Sequence, residues 1–225
     1  AASDVYKRQG KDGLAGYPLI DVYLTGKELK LAAEVDASVS DFMTTARLYC
    51  SGLNFTFNPH RMILNKVTDC YLTREDGERI EIQDDQLYRV VTDLYTGQML
   101  GSVMEMSYGL LKIEPKDKDG NPIENLEDQA IMEGDKELKA WDAIARYMKS
   151  FDDTDGNGIS NVPEYYETTH GRKVVDESRN VIDLVKNPNK FSVMIVGIVL
   201  VLILIIILLV VLIRKLIKKR RRKKK

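Results

Sequence analysis

"YPLIDVYLTGKEL" (Tyr17–Leu29) sets the class of the fold. Leu19, Asp21 and Tyr23 alternate with Ile20, Val22 and Leu24, the two-residue period of a strand with one face in a core. Thr25 and Glu28 then stand three apart, the spacing at which a hydroxyl and a carboxylate satisfy each other's backbone amides at a helix start. A strand therefore runs straight into a helix, which carries Leu29, Ala32, Ala33 and Val35 on one side and fades before Asp41. Downstream, "RLYCSGLNFTFNP" (47–59), "KVTDCYLTR" (66–74), "RIEI" (79–82) and "LYRVVTD" (87–93) read as strands, with Asp76-Gly77 as the hairpin turn between the second and third. Phe55 and Phe57, in phase on one strand face, are expected in the core. The stretch from Asp93 to Pro115 reads as a short helix and then a strand. "DKELKAWDAIARYMKSF" (135–151) is an amphipathic helix with Leu138, Trp141, Ile144, Ala145 and Met148 on one side. Strands and helices mix without regular βαβ alternation, so the expected class is α+β: a mixed sheet with packed helices.

The C-terminal end belongs to a different solvent. "FSVMIVGIVLVLILIIILLVVLI" (191–213) carries no charge, and a helix of that length covers a hydrocarbon core of about 30 Å. A single transmembrane helix is expected there. Ten of the 33 basic residues follow it, in Arg214–Lys225, whereas no acidic residue follows Asp183. Residues 1–192 thus hold 23 basic against 34 acidic groups, a net charge of −11. Such a body repels phosphate backbones, which excludes nucleic acid as its partner. Lysine and arginine beside a span stay in the cytosol, so the expected protein is single-pass in the cell membrane, body outside and tail inside, with anionic lipid at the basic tail. Residues 1–12 are expected to be linker or non-native, 13–170 one domain, 171–190 a juxtamembrane stalk broken by Pro188, and 214–225 the cytoplasmic tail. Cys50 and Cys70 would face an oxidising space, where a disulfide and two buried free thiols both account for them.

"DVYLTGKELKLAAE", "YCSGLNFTFNP" and "LYRVVTDLYTG" together resemble the C-terminal domain of the 5'-nucleotidase and UDP-sugar hydrolase family, over roughly Gly13 to Asp155. The resemblance implies a surface hydrolase of nucleoside phosphates, with a metallophosphatase domain holding two metal ions upstream of this chain. The two histidines, His60 and His170, lie in separate polar segments and read as surface residues. What the resemblance implies for this domain is a grip on a nucleoside or nucleotide: two aromatic rings sandwich the base and an Asp in a G-G-D loop binds the ribose. Tyr95 takes one ring position, and Arg47 or Tyr49 falls near the other. The G-G-D positions read Met99, Leu100 and Gly101, without the carboxylate. Two functions follow as expectations: the substrate-binding part of a 5'-nucleotidase-like phosphoesterase, or a surface spacer that has given up nucleotide binding.

"DTDGNGISNVPE" (153–164) has the spacing of a calcium loop. Asp153, Asp155, Asn157, the carbonyl of Ile159, Asn161 and Glu164 are its candidate ligands, and Gly158 permits the sharp turn. Calcium is expected there as a structural ion stiffening the approach to the membrane.

Overall fold

The computed structural model describes residues 10–44, 47–107 and 111–223. Strand β1 (Leu19–Thr25) buries Ile20, Val22 and Leu24 on one face, as its alternation requires. Helix α1 (Gly26–Val39) starts on the expected capping box. The Glu28 amide donates to Thr25 Oγ1, while Glu28 Oε2 accepts from the Thr25 amide at 2.8 Å. The helix is buried on more than its apolar side, however. Glu34, Asp36 and Ser38 are buried as well, and their side chains serve neighbouring backbone. Glu34 accepts from the amides of Lys66 (2.7 Å) and Val67 (2.8 Å), and Asp36 from that of Leu48 (2.7 Å).

Four more strands follow: β2 (Leu53–Phe57), β3 (Val67–Thr73), β4 (Arg79–Glu81) and β5 (Leu87–Asp93). β5 returns antiparallel on β1, with Leu19 opposite Asp93 and Thr25 opposite Leu87. β2, β3 and β4 form an antiparallel meander, and Gly77 at φ +86° closes the turn expected at Asp76-Gly77. The strand expected to begin at Arg47 is confined to 53–57 because Gly52 sits at φ +84°, outside the extended region. Phe55 is buried against Ala33 and Ala37, and Phe57 packs on that cluster.

Helix α2 (Leu94–Met106) opens directly from β5, with the Asp93 carboxylate accepting from the Thr96 amide (3.0 Å) and hydroxyl (2.7 Å). The strand expected after it is not found among the described residues 111–115, and Tyr108 to Leu110 lie outside them. Leu111 and Ile113 instead plug the core between α1 and β1 as irregular chain. Just after this stretch the chain joins β1 at Lys116, bridged to Tyr23. A hairpin of β6 (Met132–Glu133) and β7 (Lys136–Glu137) consumes the start of the expected amphipathic helix. Helix α3 therefore spans only Ala140–Lys149, and Leu138 precedes it. Its apolar side faces outward: Trp141, Ile144 and Met148 are all exposed.

Residues 171–190 are built into the domain. Strand β8 (Lys173–Val175) adds in parallel to the free edge of β2, which makes the four-stranded sheet mixed, in the order β4-β3-β2-β8. Helix α4 (Val181–Val185) follows, the chain turns through Asn187 (φ +51°) and Pro188, and helix α5 (Lys190–Lys223) begins. α5 is the one described helix long and apolar enough to cross a membrane. Its first turn lies inside the domain, with Phe191 and Ser192 buried, and from Val193 to Lys218 the side chains are exposed except for the half-buried Ile195. Both ends of the chain exceed the described residues: Ala1–Gln9 of the expected linker and Lys224–Lys225 of the basic tail lie outside them.

Candidate functional site

The β1–β5 register decides what surrounds Tyr95. With Leu19 opposite Asp93, the antiparallel pairing carried two residues further places Tyr17 beside Tyr95. Their ring centroids are 5.5 Å apart at 39°, a tilted contact that orders both rings. Tyr95 keeps 41% of its surface exposed. Tyr17 escapes a reading along the chain because its signal exists only in the strand pairing.

Tyr95 and Arg47 line one small cavity, with Leu48, Thr96, Met99 and Leu100 among its other walls. Its volume is about 50 Å³. A water molecule occupies about 30 Å³ of liquid, and small-molecule sites run to roughly 300–1,000 Å³. The cavity is therefore too small to enclose a nucleobase. Met99, Leu100 and Gly101 continue α2 without interruption, so no loop forms at the positions where the resemblance expects a ribose-binding carboxylate.

Tyr49 is elsewhere. It is 88% exposed and borders a separate cavity of about 290 Å³ with Cys50, His170, Arg172 and Lys173. The Lys173 ammonium lies 5.4 Å from the Tyr49 ring centre and is held by Asp36 at 2.7 Å. Of the three candidate binding residues, the fold joins Tyr95 with Arg47 and sets Tyr49 apart. Cys50 and Cys70 are both free thiols. Burial pushes the Cys50 thiol up and that of Cys70 to about 12, so both stay protonated and unreactive at neutral pH. His170 stacks on the Tyr165 ring at 3.8 Å, and His60 is exposed in its turn.

The 153–164 segment folds around its own first carboxylate. Asp153 Oδ1 accepts from the Gly156 amide and Oδ2 from the Gly158 amide, each at 2.8 Å. These contacts, the Gly158 amide foremost, hold Asp153 below the usual carboxylate range. Asp155 accepts from the Asn157 amide at 3.2 Å, Asn157 Oδ1 from the Ile159 amide at 2.8 Å, and Asn161 Oδ1 from the Thr154 amide at 2.7 Å. Gly156 and Gly158 both have positive φ, which lets the amides point inward. Glu164 opens a short 3-10 turn (Glu164–Glu167). Among the described residues no three His, Cys, Asp or Glu side chains gather as a metal site. The oxygen-only donor set suits a hard cation. Asp153 Oδ1 also accepts from the Asn157 amide at 3.2 Å, so both of its lone pairs are engaged, and Oδ2, which accepts one amide, keeps a lone pair.

Comparison with known proteins gives one family match. The 5'-nucleotidase C-terminal domain matches residues 15–106. No curated protein matches the sequence. Among solved structures, the chain is similar to a 5'-nucleotidase precursor from Thermus thermophilus, at 18% identity and a TM-score of 0.44, over 72% of this chain and 26% of that one. It is also similar to the NAD nucleotidase of Haemophilus influenzae, at 20% identity and a TM-score of 0.33, over 45% of this chain and 19% of that one. The chain thus spans about a quarter or less of the length of either protein.

Proposed function

We propose, from the 5'-nucleotidase C-terminal domain carried by residues 15–106, that this chain is the membrane-anchored, substrate-binding part of a cell-surface 5'-nucleotidase-like phosphoesterase. Hydrolysis is assigned to a metallophosphatase domain upstream, and binding and presentation of the nucleotide to the domain described here. The supporting observation is the convergence of Tyr95, its ring ordered by Tyr17, with Arg47 on one cleft. The exposed face of Tyr95 supplies a stacking surface for a base, and the Arg47 guanidinium a charge and hydrogen-bond partner for phosphate. The anchor α5 holds the body outside and the basic tail in the cytosol, by the charge asymmetry around the span.

Titration of the full chain with AMP in neutral detergent micelles tests this reading. Saturable binding is expected, weakened about 5- to 150-fold by Tyr95→Ala, the range of one base-on-ring stack. Absence of saturation in the unmodified chain would favour a second reading, a non-catalytic surface spacer. The helical run through Met99, Leu100 and Gly101 and the 50 Å³ cavity support that alternative.

In either reading the 153–164 loop takes calcium as a structural ion. Asp153, Asp155, Asn157, Asn161 and Glu164 side chains and the Ile159 carbonyl would hold it, and the ion would supply charge neutralisation and rigidity. Extracellular loops of this kind bind at about 0.1–1 mM, so 10 mM calcium should add about 1.4–2.7 kcal/mol. Thermal unfolding should shift upward by several degrees, and Asp153→Ala should abolish the shift. An unchanged melt of the unmodified chain removes the ion from the account.

A further inference from the structure

We infer that the cleft at the base of α5 is a docking site for the headgroup phosphate of an anionic phospholipid, in the leaflet at which the anchor enters. The inference rests on the reading of α5 as a membrane span. Its depth in the bilayer follows from the burial of the first turn. Phe191 and Ser192 belong to the domain interior and the exposed apolar surface starts at Val193. From Val193 to Ile213 the helix rises about 31 Å, the thickness of the hydrocarbon core. Lys190 and the residues level with it therefore sit among headgroups, with no spacer between domain and bilayer.

At that level the domain has a cavity of about 860 Å³, far larger than the one beside Tyr95. Lys27, Lys30, Lys112, Lys116 and Lys190 line it. Its carboxylates are engaged by specific partners. Glu28 holds Lys116 at 2.6 Å, Glu114 holds Lys112 at 3.0 Å, and Asp69 and Glu81 share Arg79 at 2.8 and 2.6 Å. Glu34 turns its oxygens to backbone amides, and burial raises its pKa. Lys30 is paired with Asp84. Lys27 and Lys190 stand outside these pairs, and both are exposed. Among the described residues these are the lining ammonium groups with no carboxylate partner, that of Lys190 lying 4.8 Å from the Phe191 ring centre; they would neutralise a phosphate while the acyl chains of the same lipid lie along α5.

The test uses the full chain with the ten basic residues of 214–225 changed to Gln, which removes the tail's own lipid contacts. In neutral micelles, native mass spectrometry would compare short-chain phosphatidylglycerol, short-chain phosphatidylcholine and inorganic phosphate. Each lysine at an anionic headgroup contributes about fivefold, so phosphatidylglycerol should bind about 25-fold more tightly than phosphatidylcholine. Lys27→Gln/Lys190→Gln should erase that preference, and Lys136→Gln/Lys149→Gln should leave it intact. Equal affinity for the two lipids, or a preference that survives Lys27→Gln/Lys190→Gln, overturns the site. Inorganic phosphate binding as tightly as phosphatidylglycerol overturns the lipid assignment. Flotation with pure phosphatidylcholine vesicles separates the two levels: a chain that fails to float refutes the span itself, whereas one that floats without lipid preference refutes only the headgroup site.

Discussion

Changing Lys139 to Met is expected to destabilise the domain by about 3–5 kcal/mol, the range for breaking a buried ion cluster by removing one partner. Lys139 is 2% exposed, and its ammonium lies 2.6 Å from Glu137 and 3.0 Å from Asp12. The cluster fastens the first described residues to β7: the Glu137 amide donates to Asp12, and the Lys11 amide to Glu137. Without the ammonium, two carboxylates face each other in a site with little water. Burial by itself would lower the Lys139 pKa, but Glu137 and Asp12 outweigh it and raise the value above 10.5. Burial would raise Asp12, but the Leu14 amide and Lys139 hold it below 3.8. A raised ammonium stabilises fully below its unfolded value and loses that contribution as pH climbs through the folded one. A lowered carboxylate stabilises above its unfolded value and loses that contribution as pH falls through the folded one. The cluster is therefore at full strength between about pH 4 and 10.5. Equilibrium unfolding in urea across that range should show the loss in Lys139→Met, and Lys139→Met/Asp12→Asn/Glu137→Gln should regain most of it, because no charge is then buried alone. A loss under about 1 kcal/mol in the single variant would mean that water reaches the cluster.

Arg61→Ala should loosen the approach to the anchor more than any other part of the domain. Arg61 is buried, and its guanidinium donates to three backbone carbonyls: Asn65 at 2.7 Å, Lys186 at 2.6 Å, and Asp183. Asn58, donating to the Ser178 carbonyl at 2.7 Å, and Asn189, donating to the Leu64 carbonyl, extend the same seam. Hydrogen bonds to a charged group contribute about 1.5–3 kcal/mol each. Allowing for water replacing part of what is lost, a local cost of about 2–4 kcal/mol is expected. At 1.4 kcal/mol per decade this is about 30- to 700-fold faster amide exchange, read at Leu184 and Lys186, whose amides bond within α4. Amides of β1 and β5 should change far less. Arg61→Lys should rescue little, since one ammonium cannot reproduce a planar fork over three acceptors. Equal acceleration throughout the domain would identify Arg61 as a global stabiliser rather than a local fastener.

Local signals carried the first half of the chain. The alternation of 19–24, the Thr25 and Glu28 pair and the LYRVVTD strand all reappear with their expected bounds, because each is set by neighbours a few residues away. The apolar run of α5 was legible for the same reason. Long-range partners were not. β8 has three residues and becomes a strand only because β2 offers an open edge. The stretch 111–115 has the apolar content of a strand, yet its hydrophobic side chains find a core place without pairing. In α3 the amphipathic pattern does form a helix, but the β6–β7 hairpin takes the first residues of the expected span, and Trp141, Ile144 and Met148 face outward. At the candidate site, Tyr95 and Arg47 were legible as residue types, and their shared cleft with Tyr17 emerges only from the register of β1 on β5.

The place of β8 also governs the order of biosynthesis. The segment that completes the mixed sheet and its seam is made about 120 positions after the strand it covers. At about 5–20 residues per second, a ribosome takes roughly 6–24 s to supply it. For that interval the nascent domain has one flank of β2 open, the kind of flank that recruits strands from other chains. The last piece to arrive immediately precedes the anchor, so closure of the sheet and arrival of the apolar helix are nearly simultaneous.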